Sequence, residues 1–376
     1  MIPKIAFVNT AHYSFDDRVF YHQALSLQKN GYEVFIISSK HEVDKIVEGI
    51  VIKSFNDSKL SQKNKITKIT TLLKQINPTI VFCDSPLSVF ATRNYKSQTK
   101  QLKIIYDVTE WYPSKKNLNG LTTIRRIIKS LMLFSTYLLA GFITDNFIFG
   151  EYHKSLIYKT LFFWKKCIFL PYYPSLAYIE NQPQNKIQNE VNLLYSGIIN
   201  KDKGIDSIFS TLNEVIILCP SVIFNLNIIG NFPTNEDKIH FEQLKLNTPK
   251  NIIIKQINHL DFNEFCQTIT EADLFFDLRR KDFENNYCLP IKLFYYIACG
   301  RPVIYSNLSA ITRFIHNFNF GILIEPNDSK SIARYIYKCI NNQDFYKEQC
   351  ENALKASHNK YNWDLIEKRL LDFIQN

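Results

Sequence analysis

The chain has 376 residues, 46% of them hydrophobic and 14% aromatic, with a formal net charge of +10; it is long for one core, comfortable for two, and too rich in apolar residues for a disordered chain. Eight cysteines without a CxxC pair, and without a histidine at metal-ligand spacing, exclude the usual disulfide and zinc patterns and fit a reduced cytosolic compartment. The charge is lopsided, with 24 Lys and Arg against 13 Asp and Glu up to residue 180 and 21 against 22 beyond it, so the first half favours an anionic surface, and nucleic acid is the weaker choice because no basic helix or aromatic stacking motif accompanies the charge.

In chain order, the first apolar run, IAFVN, reads as a strand and not as a signal peptide. The pair Asp16-Asp17 precedes a helix to about Lys29, Gly31 ends it, and YEVFIIS is the next strand, which completes a βαβ unit. TIVFCD and KIIYDV are two further strands that each end in an aspartate, as strands do when their carboxyl ends face a site. Ser130 to Thr144 is uncharged and follows Arg125, Arg126 and Lys129. That run is too short to span a bilayer, which takes about 20 apolar residues, and reads either as a buried helix or as one lying on an anionic membrane surface.

The polar stretch NQPQNKIQNE, residues 181–190, is read as a linker between an N-terminal domain (1–180) and a C-terminal one (191–360). The second half restarts with NLLYSGI, KDKGID, FNLNIIG, NIIIKQI and ADLFFDL, strands alternating with helices. LPIKLFYYIACGRPVIYSN, 289–307, then sets a helix start at Leu289-Pro290, an apolar face, a terminating Gly300 and a strand from Val303. The open N–H groups of such a helix's first turn suit a diphosphate, although helix, glycine and strand also recur throughout ordinary doubly wound domains. The tail, 361–376, has the spacing of a terminal helix, with the N-terminal domain as a place to pack. The fold class expected is α/β, two doubly wound Rossmann-like domains facing a central cleft, with the site in that cleft.

Several of these segments agree in order with one family. HYSFDDRVFYHQALSLQKNGYEVFIIS, YSGIINKDKGID, LPIKLFYYIACGRPVIYSN, FGILIEPND and YNWDLIEKRLLDF together resemble a family 4 glycosyltransferase of the GT-B fold, over nearly the whole chain. The resemblance implies retaining transfer of a sugar from a nucleotide-sugar donor on the C-terminal domain to an acceptor on the N-terminal one. It implies no cofactor and no metal requirement, since cations and N–H dipoles stabilise the departing diphosphate. Lys203 matches the phosphate-binding lysine, and Gly197 and Gly204 allow close backbone approach. Ile198 replaces a usual arginine, a charge left for Arg279 or Arg280 at the end of ADLFFDLRR to supply, with a plain surface pair as the structural alternative. Two glutamates usual in the family fall on Tyr287 and Tyr295, so the carboxylates expected at the sugar and ribose are missing. Glu284, Pro290, Lys292, Leu293 and Ser306 complete the expected donor set.

On the acceptor side the candidates are His12, Asp17, Arg18, Thr109 and Trp111, with Glu110 and Asp84 as the catalytic candidates for base or positioning work. Helix capping by Asp17, loop hydrogen bonding by Asp84 and Glu110, and core packing by Trp111 are the structural alternatives. Related sequences carry histidine where Cys83 and Thr109 stand, so the usual imidazole is missing. The function expected is a cytosolic, peripheral enzyme at the inner membrane face that builds surface polysaccharide on a lipid-linked or oligosaccharide acceptor. The alternative is a GT-B-fold binding partner with impaired catalysis, suggested by Tyr287 and Tyr295, and a nucleotide-sugar epimerase ranks third.

Overall fold

The computed structural model describes residues 3–96, 102–110, 113–180, 187 and 189–375. Two compact units form, Met1–Tyr172 with Ile366–Asn376, and Tyr173–Leu365. The chain therefore changes unit at Tyr173, ahead of the expected linker, which lies mostly outside the described residues, and changes back at Ile366. The terminal helix is shorter than its pattern, Glu367–Gln375, because Tyr361 and Trp363 are spent on the second unit. Tyr361 packs edge-on to Tyr173, 5.6 Å between ring centroids, and the Trp363 N–H donates to the Pro174 carbonyl at 2.8 Å.

The first unit is built on an eight-stranded sheet among the described residues. Its strands are β1 (Lys4–Asn9), β2 (Glu33–Ser38), β3 (Val43–Val47), β4 (Ile50–Ser54), β5 (Ile80–Cys83), β6 (Lys103–Val108), β7 (Asn146–Phe149) and β8 (Cys167–Phe169), in the order β3-β4-β2-β1-β5-β6-β7-β8. All neighbours are parallel except the hairpin β3-β4, whose Glu48-Gly49 turn takes φ of 52° and 76°. IVFC and NFIF are buried at every position because helices cover both faces of a parallel sheet.

The second unit has β9 (Glu190–Ser196), β10 (Ile223–Ile229), β11 (Ile252–Ile257), β12 (Leu274–Asp277), β13 (Val303–Ser306) and β14 (Gly321–Ile324), all parallel, in the order β11-β10-β9-β12-β13-β14. Both units are doubly wound, as expected. Each has one topological switch point, where neighbouring connections leave in opposite directions: between β1 and β5 in the first, and between β9 and β12 in the second. Ligands of open α/β sheets bind outside the carboxyl ends of the strands at such points.

Candidate functional site

In the second unit the switch point is made by two turns in close backbone contact. After β9 the chain makes a short 3₁₀ turn, Lys201–Lys203, and enters the helix Ile205–Leu218 through Gly204. Gly204 has φ of 87°, and a Cβ there would lie 2.0 Å from the carbonyl oxygen of Leu278, just past β12. Only glycine permits both the conformation and the approach.

Lys203 donates from Nζ to Asn285 Oδ1 at 2.6 Å, so its charge meets a neutral amide. Burial, and then the nearby Arg279 guanidinium, hold its pKa below the ordinary lysine value. Asn285 is itself buried and donates from Nδ2 to the carbonyls of Arg280, at 3.0 Å, and Asp202, at 3.3 Å. One side chain thus ties the loop after β12 to the KDKG turn.

The helix Ile291–Ala298 starts beside this point, with Pro290 as its N-cap and no side-chain hydrogen bond from the cap; the first turn of a helix presents N–H groups that suit an anion. Lys292 Nζ lies 3.6 Å from where a Cβ on Gly197 would sit. The geometry therefore gathers Lys203, Lys292 and an uncapped helix start at one sheet end, an anion-binding arrangement.

In the first unit, Asp84 at the end of β5 captures the loop that leaves β1. Its carboxylate accepts the N–H groups of Thr10 at 3.0 Å, Ala11 at 2.8 Å and His12 at 3.3 Å. His12 is held across the loop, Nδ1 at 3.0 Å from Asp16 Oδ2 and Nε2 at 3.5 Å from Thr109 Oγ1. Burial pushes its pKa down, but the carboxylates of Asp16, Asp84 and Glu110 outweigh that and bring it up to about 9. His12 is held as an imidazolium at neutral pH, beside Thr109. Glu110 is exposed and shares with Thr10, Lys40, Ser85, Phe90 and Leu133 a cavity of about 380 Å³. Such a lining, which mixes charged and polar groups with apolar side chains, suits an amphipathic ligand.

Comparisons with known proteins agree with this layout. Residues 4–129 match the family described as "Glycosyl transferase 4-like" and residues 179–356 match "Glycosyl transferases group 1". Each half of the chain is thus similar to a glycosyltransferase domain. The chain is 27% identical over 177 residues to the capsular polysaccharide biosynthesis glycosyltransferase CapM of Staphylococcus aureus, a match that covers 47% of this chain and 43% of that relative, so less than half of the relative's length is spanned. The sucrose-phosphate synthase of Thermosynechococcus elongatus superposes with a TM-score of 0.72 at 14% identity, over 99% of this chain and 98% of that one. The Anabaena protein HepE, solved in complex with UDP, superposes with a TM-score of 0.67 at 11% identity, over 99% of each chain. These two likenesses establish the GT-B fold.

Within this glycosyltransferase frame, Gly197, Lys203, Gly204, Pro290 and Lys292 come together at the second switch point, and His12, Asp84, Thr109 and Glu110 at the first. Others are placed differently. Arg279 is engaged by Asp277, its Nε donating to Oδ1 at 2.7 Å and its Nη2 to Oδ2. Burial opposes its charge, yet Asp277 more than offsets that, so the guanidinium stays charged and committed.

Arg18 turns inward because Asp17–Ala24 winds as a π-helix capped by Asp16. Its guanidinium stacks 3.7 Å from the Tyr172 ring centroid, and its Nη2 lies 2.6 Å from Asp107 Oδ1. Asp17 follows the cap and accepts the Arg18 N–H at 2.8 Å, so it is neither the cap nor turned to a ligand by that bond. Leu293 and Ser306 are fully buried, the latter donating to the Arg279 carbonyl at 2.8 Å. Tyr295 is buried against Phe262 and Phe265, so the position of the missing ribose carboxylate faces the core. Tyr287 stacks edge-on with Phe283, and Glu284 is half-buried on the same short helix, Phe283–Asn286. Trp111 lies outside the described residues. The sequence reading missed Asn285 and Asp16, whose roles depend on partners that only the fold supplies.

Proposed function

We propose that this protein transfers a sugar from a nucleotide-sugar donor, bound by the second unit, to a lipid-linked glycan bound by the first, with retention, in the assembly of a surface polysaccharide at the cytoplasmic face of an anionic membrane. The observation that carries the reading is the cation pair at the second switch point. Lys203 is desolvated and held by an uncharged amide, and Lys292 stands in the first turn of a helix that its N-cap side chain does not cap, so a diphosphate arriving there meets two cations and a helix start. HepE, of the same fold, binds UDP, which supports a nucleotide donor of that kind.

On the first unit, His12 and Glu110 are the side chains offered to an acceptor hydroxyl. The imidazolium orients it, and Glu110 is the carboxylate available to take part in its deprotonation. The lipid-linked acceptor rests on the amphipathic cavity lining and on the excess of basic residues in the first half of the chain.

Isothermal titration with UDP and GDP tests the donor half. Wild type binds one of them, and Lys203→Ala weakens that binding by about 1.5–3 kcal/mol, the cost of losing a charged hydrogen bond. Equal affinity in the variant would sink the phosphate assignment. Retention is read from the anomeric configuration of the product by NMR.

A further inference from the structure

The helix Thr123–Ile143 is 21 residues long and apolar enough to cross a membrane, yet it lies along the first unit. Tyr137, Ala140 and Gly141 dock it, Tyr137 packing edge-on to Tyr158 with ring centroids 4.7 Å apart. Its other side is also apolar. Ile124, Ile128, Leu131 and Met132 recur at helical spacing and are each more than half exposed, followed by Leu139 and Phe142. A helix that is apolar all round and docked on one side only presents its remaining side to something other than water.

A second element extends that face. In the turn after the helix Tyr152–Leu161, Phe162 is buried against Gly141, where a Cβ would lie 2.5 Å from its ring. Lys165 Nζ reaches inward to cap the end of the long helix, donating to the carbonyls of Gly141 and Phe142 at 2.7 Å each and to that of Thr144. With its neighbours pinned, the turn holds Phe163 and Trp164 outward, 79% and 56% exposed, and Trp164 stands 6.3 Å from Phe142.

The surrounding charge has one sign. Between Thr123 and Phe169 the only acids are Asp145 and Glu151, paired with Lys96 at 2.6 Å and Lys154 at 3.2 Å, whereas Arg125, Arg126, Lys129, Lys159 and Lys166 are exposed.

We infer that the exposed side of Thr123–Ile143 and the Phe163–Trp164 turn form one docking face for an anionic lipid bilayer, with the helix lying in the interface and Trp164 at headgroup depth. Two separated apolar contacts fix how the first unit is turned toward the lipid, which a single helix does not. The inference rests on the lipid-linked reading above only for its purpose, since the face itself is independent of the donor site. Basic flanks with an apolar stripe and an interfacial tryptophan are what a bilayer surface takes, whereas a protein partner of matched shape calls for no such excess of one charge.

The test uses the full chain with phosphatidylcholine vesicles, with or without phosphatidylglycerol. Wild type cosediments with the anionic vesicles, and its tryptophan emission shifts to the blue. Phe163→Ser/Trp164→Ser and Ile128→Ser/Leu131→Ser each weaken binding by about tenfold, and Trp164→Phe abolishes the shift while still binding. Circular dichroism checks that the variants fold. Equal binding to neutral vesicles, no effect of the Phe163/Trp164 pair, or a wild-type dimer that this pair dissolves would overturn the lipid assignment, the last outcome pointing to a second copy of the chain. UDP and GDP titration of the same proteins separates the two ideas: nucleotide binding without vesicle binding removes this inference, and the converse removes the proposed function.

Discussion

His12, half-buried in the first loop, and His22, buried in the helix after it, set opposite limits on stability with pH. His12 is raised to about 9 by its carboxylates, and His22, fully enclosed with Nδ1 at 2.5 Å from the Asp17 carbonyl, is lowered by burial to about 4. Each departs from an unfolded value near 6.5. For His12 the folded state binds the proton more tightly, so its stabilisation is complete below pH 6.5 and is lost as pH rises through about 9. For His22 the folded state prefers the neutral ring, so stability is complete above pH 6.5 and is lost as pH falls through about 4. At about 1.4 kcal/mol per unit, each limb is worth about 3 kcal/mol.

The expected curve of unfolding free energy against pH, from urea denaturation at half-unit steps, therefore peaks near pH 6.5 and falls on both sides. His12→Asn is less stable at the peak but lacks the alkaline fall between pH 6.5 and 9, and His22→Asn lacks the fall between 6.5 and 4. A wild-type curve that stays flat up to pH 9, or an alkaline limb that survives in His12→Asn, would refute the imidazolium assignment. If His12 also orients the acceptor, the transfer rate falls along the same alkaline limb.

Three other expectations concern the loops. Gly204→Ala places a Cβ 2.0 Å from the Leu278 carbonyl in a left-handed conformation, so thermal unfolding should show a loss of at least about 1–3 kcal/mol together with weakened nucleotide binding. A variant as stable as wild type would mean the two turns separate freely. Asp277→Asn strips the buried carboxylate from the largely enclosed Arg279 and from the Tyr305 hydroxyl that donates to it, and about 3–5 kcal/mol should be lost in urea titration; a change below about 1 kcal/mol, the value of an exposed pair, rules out the buried pairing. Asp84→Ala frees three N–H groups of the Thr10–His12 loop. Stability and acceptor KM should therefore both suffer, whereas loss of kcat alone at wild-type stability would return Asp84 to the role of base.

Much of the fold was legible because its causes are local. The period of the apolar runs marked the parallel strands, and KDKG announced both the tight turn and the lysine at its end. The hairpin β3-β4 was less visible, since its Glu48-Gly49 turn interrupts only two short runs. What could not be read were roles set by distant partners. Asp84 meets residues more than 70 positions earlier, and Asn285 meets Lys203 across 82. Nothing in FENNYC distinguishes Asn285 from Asn286 beside it. Arg18 looked like a ligand-facing cation because a regular helix was assumed, and the π-winding carries it onto Asp107 instead. Phe163 and Trp164 carry no signal of their own in the sequence, because their exposure depends on Lys165 fixing the turn from beneath.

The two switch points solve the same mechanical problem with opposite chemistry. A loop leaving a strand end carries unpaired backbone groups, and it is precise enough to position a ligand only when those groups are satisfied. In the first unit the neighbouring loop offers N–H groups, and a carboxylate, Asp84, collects them. In the second the carbonyls are those of Asp202 in the neighbouring turn and Arg280 in the same loop, and a neutral amide NH₂, that of Asn285, collects them while its oxygen takes Lys203. The choice of amide over carboxylate suits the proposed donor site. An aspartate at 285 would bind Lys203 more strongly but would lose the donors to both carbonyls and cancel the charge a diphosphate needs. Asn285→Asp therefore separates preorganisation from charge, since it keeps the size of the side chain and removes only its donors and its neutrality.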